Sequence, residues 1–361
     1  MVDRRLRPTY LILAVMLSGL LMATAWAATA TQVDDFQDGT TQGWQQGNPG
    51  TDSPTNVAGG GPAGADDHYL QDASDGIATG GKLVMFNQDQ WTGNYTAAGI
   101  EVIALEMANQ GSTNLVMRLA MDGAGGQFAT GSEVNLAPGS GWQAAYFDVR
   151  ASNWVASGGS SIDDTLAAAS TLRLLHNPNP DWRGTNIVAT IGVDNITAGP
   201  LDFGQLDQPY GLAWHTLSNQ YLGSSSDADV GPDSENNDGV VRDFSTRWAP
   251  GNTVGVTVTV ANGGSNVVAW LDWNGDGQFA NSAPELTLNE TVLAGSNYLT
   301  FTVPTSAGYD EGDPLKARFR VEDGPSANPR PVGLGRGGEV EDYAWLFVAR
   351  DHFLYLPAIV R

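Results

Sequence analysis

The chain has 361 residues, with 40 Asp and Glu against 17 Lys and Arg, and no cysteine. That length allows two ordinary domains, and the missing cysteine excludes disulfide staples and thiol chemistry. A formal net charge of −23 repels phosphate backbones and anionic membranes and attracts divalent cations, so nucleic acid is not an expected partner.

At the N-terminus, Arg4, Arg5 and Arg7 precede an apolar run from Tyr10 to about Ala23, followed by Ala25-Trp26-Ala27. Charged start, apolar centre and small-x-small ending are the parts of a secretory signal peptide over residues 1–27. The apolar run is short for a membrane span and no second one follows, so the mature chain is expected outside the cell or on its surface, without a span.

Forty-five Gly, 18 Pro and short runs rich in Val, Thr and aromatics predict many short strands and turns. In residues 28–199, Ile103, Leu105 and Met107 share one strand face, as do Leu115, Met117, Leu119 and Met121 across the turn Asn109-Gln110-Gly111. Ser161–Ser170 reads as one or two helical turns. The pattern restarts near Ala198-Gly199-Pro200, which sets a boundary. In residues 200–348, Val254, Val256, Val258 and Val260 share a face, and Leu299, Phe301, Val303 and Ala317, Phe319, Val321 repeat the device. The fold class expected is all-β, two antiparallel jelly-roll-like sandwiches in tandem, each able to fold alone, with a tail at 349–361.

The oxygen-bearing residues Asp272, Asn274 and Asp276, with Gly277 at the turn and Gln278 beyond it, have the spacing of a calcium loop. A calcium-binding helix–loop–helix would place Glu at the twelfth position, but Ala283 stands there and Glu285 is the nearest carboxylate. The β-branched run Val267-Val268-Ala269-Trp270-Leu271 before it points to a calcium-stapled turn leaving a strand. The competing reading is an Asx-rich turn capping its own backbone. Asp227, Asp229, Asp233 and Asp238 are either further ligands or a solvated loop. Asp342 alternates with Glu339 and Glu341 and falls on the face of Val340, Ala344 and Leu346, read as the core face. A carboxylate there needs calcium, an arginine or several backbone donors. Arg318 and Arg320 alternate with Ala317 and Phe319 and so are expected to face outward.

Asp202-Phe203-Gly204, Tyr221-Leu222-Gly223, the acidic run Asp227 to Gly239, the Trp270–Gly277 turn, Ala317-Arg318-Phe319-Arg320 and Gly338-Glu339-Val340-Glu341-Asp342-Tyr343 together resemble the GEVED domain. The resemblance implies a β-sandwich accessory module of bacterial exported and surface proteins, without established catalytic residues. Asp35-Phe36, Gly80-Gly81-Lys82-Leu83-Val84, Trp91-Thr92-Gly93 and Gly192-Val193-Asp194-Asn195-Ile196 resemble jelly-roll modules of the carbohydrate-binding and laminin IV type. Asp35 and Asp194 lie at the two ends of that module, where a structural calcium is a further candidate.

No His-Glu-x-x-His, Gly-x-Ser-x-Gly or phosphate-cradling loop is present, and the four histidines are dispersed. Aromatics beside Gly, Asn or Asp suit stacking on sugar rings, which singles out Trp91, Tyr95 and Trp182 as ligand-binding candidates. The expected role is binding or adhesion to a neutral polysaccharide or cell-surface glycan, with calcium as structural ion. The alternatives are a carbohydrate-active enzyme with an acidic cleft in the first domain and a purely architectural surface protein.

Overall fold

The computed structural model describes residues 27–346 except 47–53, 78–80, 207–208, 233–236, 310–311 and 325–327. The expected signal peptide up to Trp26, Asp233 and the C-terminal tail lie outside the described residues. Among the described residues no helix is long and apolar enough to cross a membrane.

The first half runs Val33–Asp34 (β1), Trp44–Gln46 (β2), Thr55–Val57 (β3), Tyr69–Asp75 (β4) and Val84–Asn87 (β5). After the single helical turn Tyr95–Ala98 (α1) come Val102–Asn109 (β6), Leu115–Gly123 (β7), Phe128–Thr130 (β8), Val134–Leu136 (β9), Gln143–Asp148 (β10) and Trp154–Ala156 (β11). Helix Ile162–Ala167 (α2) precedes Ala169–His176 (β12) and Val188–Ala198 (β13). Ser161 caps α2 by accepting from the Asp164 N–H at 3.2 Å, which fixes where the short helix starts.

Two antiparallel sheets face each other. One has the order β10-β6-β13-β4-β3 with β1 added on β13; the other is β11-β8-β7-β12-β5-β2 with β9 on β7. Their inner faces are the alternating residues read from the sequence: Ile103, Leu105 and Met107 meet Leu115, Met117, Leu119 and Met121 in one buried cluster. Each such side chain contributes on the order of 1.5–3 kcal/mol when fully buried. Pairing of Val33 with Thr197 and Asp34 with Ile196 brings the two ends of this module together.

The second half comprises Leu201–Phe203 (β14), Ala213–Thr216 (β15), Val240–Arg242 (β16), Thr253–Val260 (β17), Ser265–Leu271 (β18) and Leu286–Val292 (β19). Gly295–Thr302 (β20), Pro314–Glu322 (β21), Gly333–Gly335 (β22) and Gly338–Leu346 (β23) complete it. Sheet β16-β17-β20 packs on sheet β19-β18-β21-β23 through Val254, Val256, Val258, Val260, Phe301, Ala317, Phe319 and Val321. This is the sandwich that the alternation implies.

A third sheet in the second half, β14-β15-β22, has no counterpart in the sequence reading. One face carries Leu201, Phe203 and Trp214 onto Val102 and Ala104 of β6, on the outer side of the first module. The other face carries Asp202 and His215 toward β21 and β23, where Arg320 donates to His215 and the Val340 N–H donates to Asp202. The five sheets therefore stack as one pile. Polar contacts fasten the same junction: Arg330 Nη2 lies 2.6 Å from Glu106 Oε1, Arg336 pairs with Asp35, and Asn328 donates to the Ala63 carbonyl at 2.8 Å. A shared apolar cluster therefore joins the two halves.

Candidate metal centre and buried acidic motif

The 272–285 loop begins where β18 ends. Gly275 and Gly277 take φ of 72° and 84°, a left-handed backbone that glycine adopts without strain. This turns the chain back so that Asp272 Oδ1 accepts the Gly275 N–H at 2.8 Å. Asp272 Oδ2 accepts the Gly277 N–H at 3.1 Å and the Tyr210 hydroxyl at 2.7 Å. Asp276 and Asn274 are tied by two bonds of 3.0 and 2.8 Å, and Glu285 Oε2 accepts from the Ala280 N–H at 2.6 Å. Asn274 and Gln278 are both exposed; Asn274 takes part through its amide, and Gln278 through its backbone N–H, which donates to Asp276 at 2.9 Å.

One carboxylate oxygen from each of Asp272, Asp276 and Glu285 lies within 4.8 Å of the other two. That spread is what oxygens bound at 2.3–2.6 Å to one calcium span across its diameter. Burial first, then the charges of Asp272 and Asp276, hold the Glu285 carboxyl above its ordinary range. The same residues also close Asx turns with their own backbone, so the donor set fits a hard cation and leaves a folded turn without one. Zinc would ask for His or Cys, and neither is in the set.

The acidic motif on β23 serves several masters. Arg320↔Val340 and Arg318↔Asp342 are cross-strand pairs, so Asp342 faces the third sheet together with both arginines. Arg318 clamps Asp342 with two bonds of 2.8 Å, and the Leu206 N–H adds a third at 2.8 Å. Glu339 and Glu341 are on the opposite face, beside Val321 and Phe319. Glu339 accepts the Leu222 N–H at 2.5 Å; Glu341 accepts the N–H groups of Asp238 and Gly239 at 3.0 and 2.9 Å and the Tyr343 hydroxyl at 2.7 Å. Because β23 ends its sheet, its outward N–H groups need acceptors, and Asp202 and Asn237 take those of Val340 and Asp342 at 2.6 and 3.1 Å.

Residues 266–345 match the GEVED domain. No curated protein matches the chain. Among solved structures, it is similar to the family 11 carbohydrate-binding module from Clostridium thermocellum, solved with a β-1,3-1,4-mixed-linked tetrasaccharide. The identity is 16%, the coverage 47% of this chain and 96% of that one, and the TM-score 0.32. A family 28 module specific for non-crystalline cellulose gives 13%, 48%, 97% and 0.31. An exo-β-agarase gives 11% identity over 48% of this chain with a TM-score of 0.36, and the match spans a quarter of the agarase, 25% of its chain.

Within the GEVED domain two expectations are corrected. Arg318 and Arg320 are fully buried, because the face opposite Phe319 meets a third sheet in place of solvent. Asp342 accordingly lies under the third sheet and not on the core face, and of the partners open to it, calcium, an arginine or backbone donors, it meets Arg318 and the Leu206 N–H. Asp238 is turned to Ser224, accepting its N–H at 3.0 Å and its hydroxyl at 2.7 Å, and Asp227 and Asp229 are half-buried beside the motif.

In the first module, the three aromatic candidates are core residues. Trp91 and Tyr95 are 0% exposed. The Trp91 indole N–H donates to Asp34 Oδ2 at 2.6 Å and the Tyr95 hydroxyl donates to the Trp91 carbonyl at 3.0 Å. Trp182 is covered by the Arg173 guanidinium, 3.6 Å from the ring centroid, and packs on Val84, Ala120 and Leu175. The polar neighbours of these rings mark turns correctly, but the rings themselves turn inward.

Sequence reasoning missed Asp34. It is buried where Asp35 was singled out, and it accepts from Trp44, Trp91 and Gln90 at 2.7, 2.6 and 2.6 Å. Burial, against those donors, pushes it up to about 6. Alternation along β1 was the available signal. Asp35 pairs with Arg336, whereas Asp194 is buried and accepts chiefly from the Asn195 N–H at 2.7 Å. Burial and the charges of Asp67, Glu106 and Asp35 push Asp194 up to about 9.

His215 gives the layer a pH response. Its Nε2 accepts from Arg320 Nε at 2.8 Å, which requires the neutral ring; burial and then the charges of Arg320 and Arg318 hold its pKa well below the ordinary value. The unfolded chain therefore takes up this proton first, and the stability present above about pH 6.5 falls as pH drops. Denaturant melts of wild type and His215→Gln, whose amide oxygen can still accept from Arg320, should diverge below that pH. The expected difference is at most about 1.4 kcal/mol per pH unit; parallel curves from pH 7 to 5 would remove the assignment.

Proposed function

We propose that the protein is an exported carbohydrate-binding protein whose first module contacts neutral polysaccharide and whose 272–285 loop holds a structural calcium. The observation that carries the binding reading is the difference between the two outer faces of the first module. The face of β6 and β10 is covered by Leu201, Phe203 and Trp214 of the second half. Across the other sheet, Gln45, Phe86 and Arg173 form one transverse row through the β2–β5 and β5–β12 pairings, with Phe86 and Arg173 half-buried and Gln45 exposed. Asp122 lies close enough to act on Arg173, and Gln88 donates to the Thr171 hydroxyl at 3.0 Å. An aromatic flanked by amide, guanidinium and carboxylate groups suits a sugar ring, with its apolar face on Phe86 and its hydroxyls on the polar groups.

The enzyme reading draws on a cavity of about 860 Å³ lined by Asp34, Asp38 and Asp89. Asp34 is its buried carboxylate, and both its oxygens are engaged by the two tryptophans and Gln90, which favours a structural role there. Binding is therefore the reading supported best.

Glycan-array screening of the mature chain should return neutral polysaccharides. Phe86→Ala should weaken binding roughly tenfold, about 1.4 kcal/mol, with little change in Tm. Unchanged affinity would move the contact off this face, and a wholly negative array would sink the glycan reading.

Calcium at the loop should raise Tm, since an ion that binds only the folded state stabilises it by mass action. At a hundredfold excess over Kd the gain is about 2.7 kcal/mol. Asp272→Ala combined with Asp276→Ala should remove that increment. Retention of the full increment in the double variant would mean that the loop is an ordinary turn.

A further inference from the structure

The third sheet covers only one end of the outer face of β6. Its apolar cluster takes in Val102 and Ala104, while Ala108 near the far end of the strand stands outside it. At that uncovered end Gln71, Gly192 and Ala108 form one transverse row across β4, β13 and β6. The ring of Trp142, from the turn that leads into β10, lies over Gly192, half-buried and apart from the inter-sheet core.

Gly192 sits inside an 11-residue strand, where glycine weakens pairing, and its φ is not in the left-handed region. The backbone therefore does not call for it; the indole does. A Cβ at this position would come within 2.9 Å of Trp142 Cη2 and 3.2 Å of Cζ2. Two further contacts fix the ring. Its Nε1 donates to the Gly60 carbonyl at 2.9 Å, and Tyr69 makes a T-shaped pair with it, centroids 5.2 Å apart and planes at 79°. With one face against Gly192 and its flanks held, the opposite face of the indole is the part left to solvent.

The rim of this platform is amide. Gln71 Nε2 donates to Gln110 Oε1 at 2.7 Å, and Gln110 Nε2 donates to the Tyr69 hydroxyl at 3.1 Å. Gln110 is exposed and Gln71 half-buried, so both amides keep hydrogen-bonding capacity for a further partner. No member of the set is charged, although the chain carries 40 acidic residues.

We propose that Trp142, with Gln71 and Gln110, forms a second glycan-binding site of the first module, on the sheet opposite the one that carries Phe86. It takes a neutral sugar, whose apolar face stacks on the indole and whose hydroxyls exchange hydrogen bonds with the two amides. A charged ligand finds no counter-charge here, and a wholly apolar one would leave the amides unpaired. The site rests on the reading of the protein as a glycan binder and adds a contact to it. Because the two sheets turn their outer faces in opposite directions, one molecule can hold two polysaccharide chains at once.

Affinity electrophoresis of the full mature chain through soluble neutral glucans, galactans, mannans and xylans tests this. The background is Phe86→Ala, so that retardation reports the Trp142 site. In that background Trp142→Ala should lower the affinity roughly tenfold. Gly192→Ala, whose methyl displaces the ring without removing it, should do the same with Tm kept, which guards against a folding defect in the first variant. Unchanged affinity in both variants, or no retardation at all once Phe86 is replaced, would overturn the second site and leave the glycan reading standing. A wild type that none of these polysaccharides retards would overturn both.

Discussion

The buried guanidinium groups of Arg318 and Arg320 are the constraint on which the arrangement of this chain depends. A guanidinium out of water has five donors to satisfy, and one left unpaired costs more than most apolar contacts return. Arg318 finds Asp342 and the carbonyls of Gly211 and Pro331; Arg320 finds His215 and the carbonyls of Arg330, Trp214 and Gly333. Apart from Asp342 on β23, those acceptors lie on β15, β22 and the segments entering them. Satisfying the arginines therefore fastens the third sheet to the GEVED sandwich. The other face of that sheet presents Phe203 and Trp214, which close over β6 of the first module. Removing one partner of the Arg318–Asp342 pair would leave a buried charge uncompensated, at a cost of about 3–5 kcal/mol.

The acidic signature of the GEVED domain acquires a physical sense from this arrangement. Successive residues of β23 point to opposite faces, and each carboxylate meets a different demand. Asp342 neutralises Arg318, Glu341 closes the turn at Asp238 and Gly239, and Glu339 holds Leu222. Carboxylates accepting several backbone N–H groups organise loops as effectively as an ion does. The 272–285 loop follows the same logic, with Asp272 collecting Gly275, Gly277 and Tyr210. Calcium binding would be added to loops already shaped by their own hydrogen bonds.

Much of the sandwich was legible in the chain because it follows period-two alternation: Val254 to Val260, Phe319 between two arginines, and the Leu and Met faces of β6 and β7 all pack as their spacing implies. The convergence of Asp272, Asp276 and Glu285 was legible as well, since turn chemistry is local. The third sheet was not. Its strands are three or four residues long, and β22 pairs in parallel with β15 from more than a hundred positions away. Without that sheet, alternation assigns Arg318 and Arg320 to solvent, because a strand pattern names opposite faces but not what covers them. The tryptophans misled for a related reason. Gln90 and Thr92 mark a turn around Trp91, yet the indole turns inward to Asp34, a partner 57 residues away.

Hydrogen exchange on the intact chain reads the coupling of the layers directly. If the arginine layer and the Phe203–Trp214 cluster join the two halves, the amides of Ala213–Thr216 should exchange in the same slow class as those of β6 and β21, despite the brevity of their strand. Exchange of Ala213–Thr216 orders of magnitude faster than both neighbouring sheets would contradict this and leave the chain as two separately stable sandwiches.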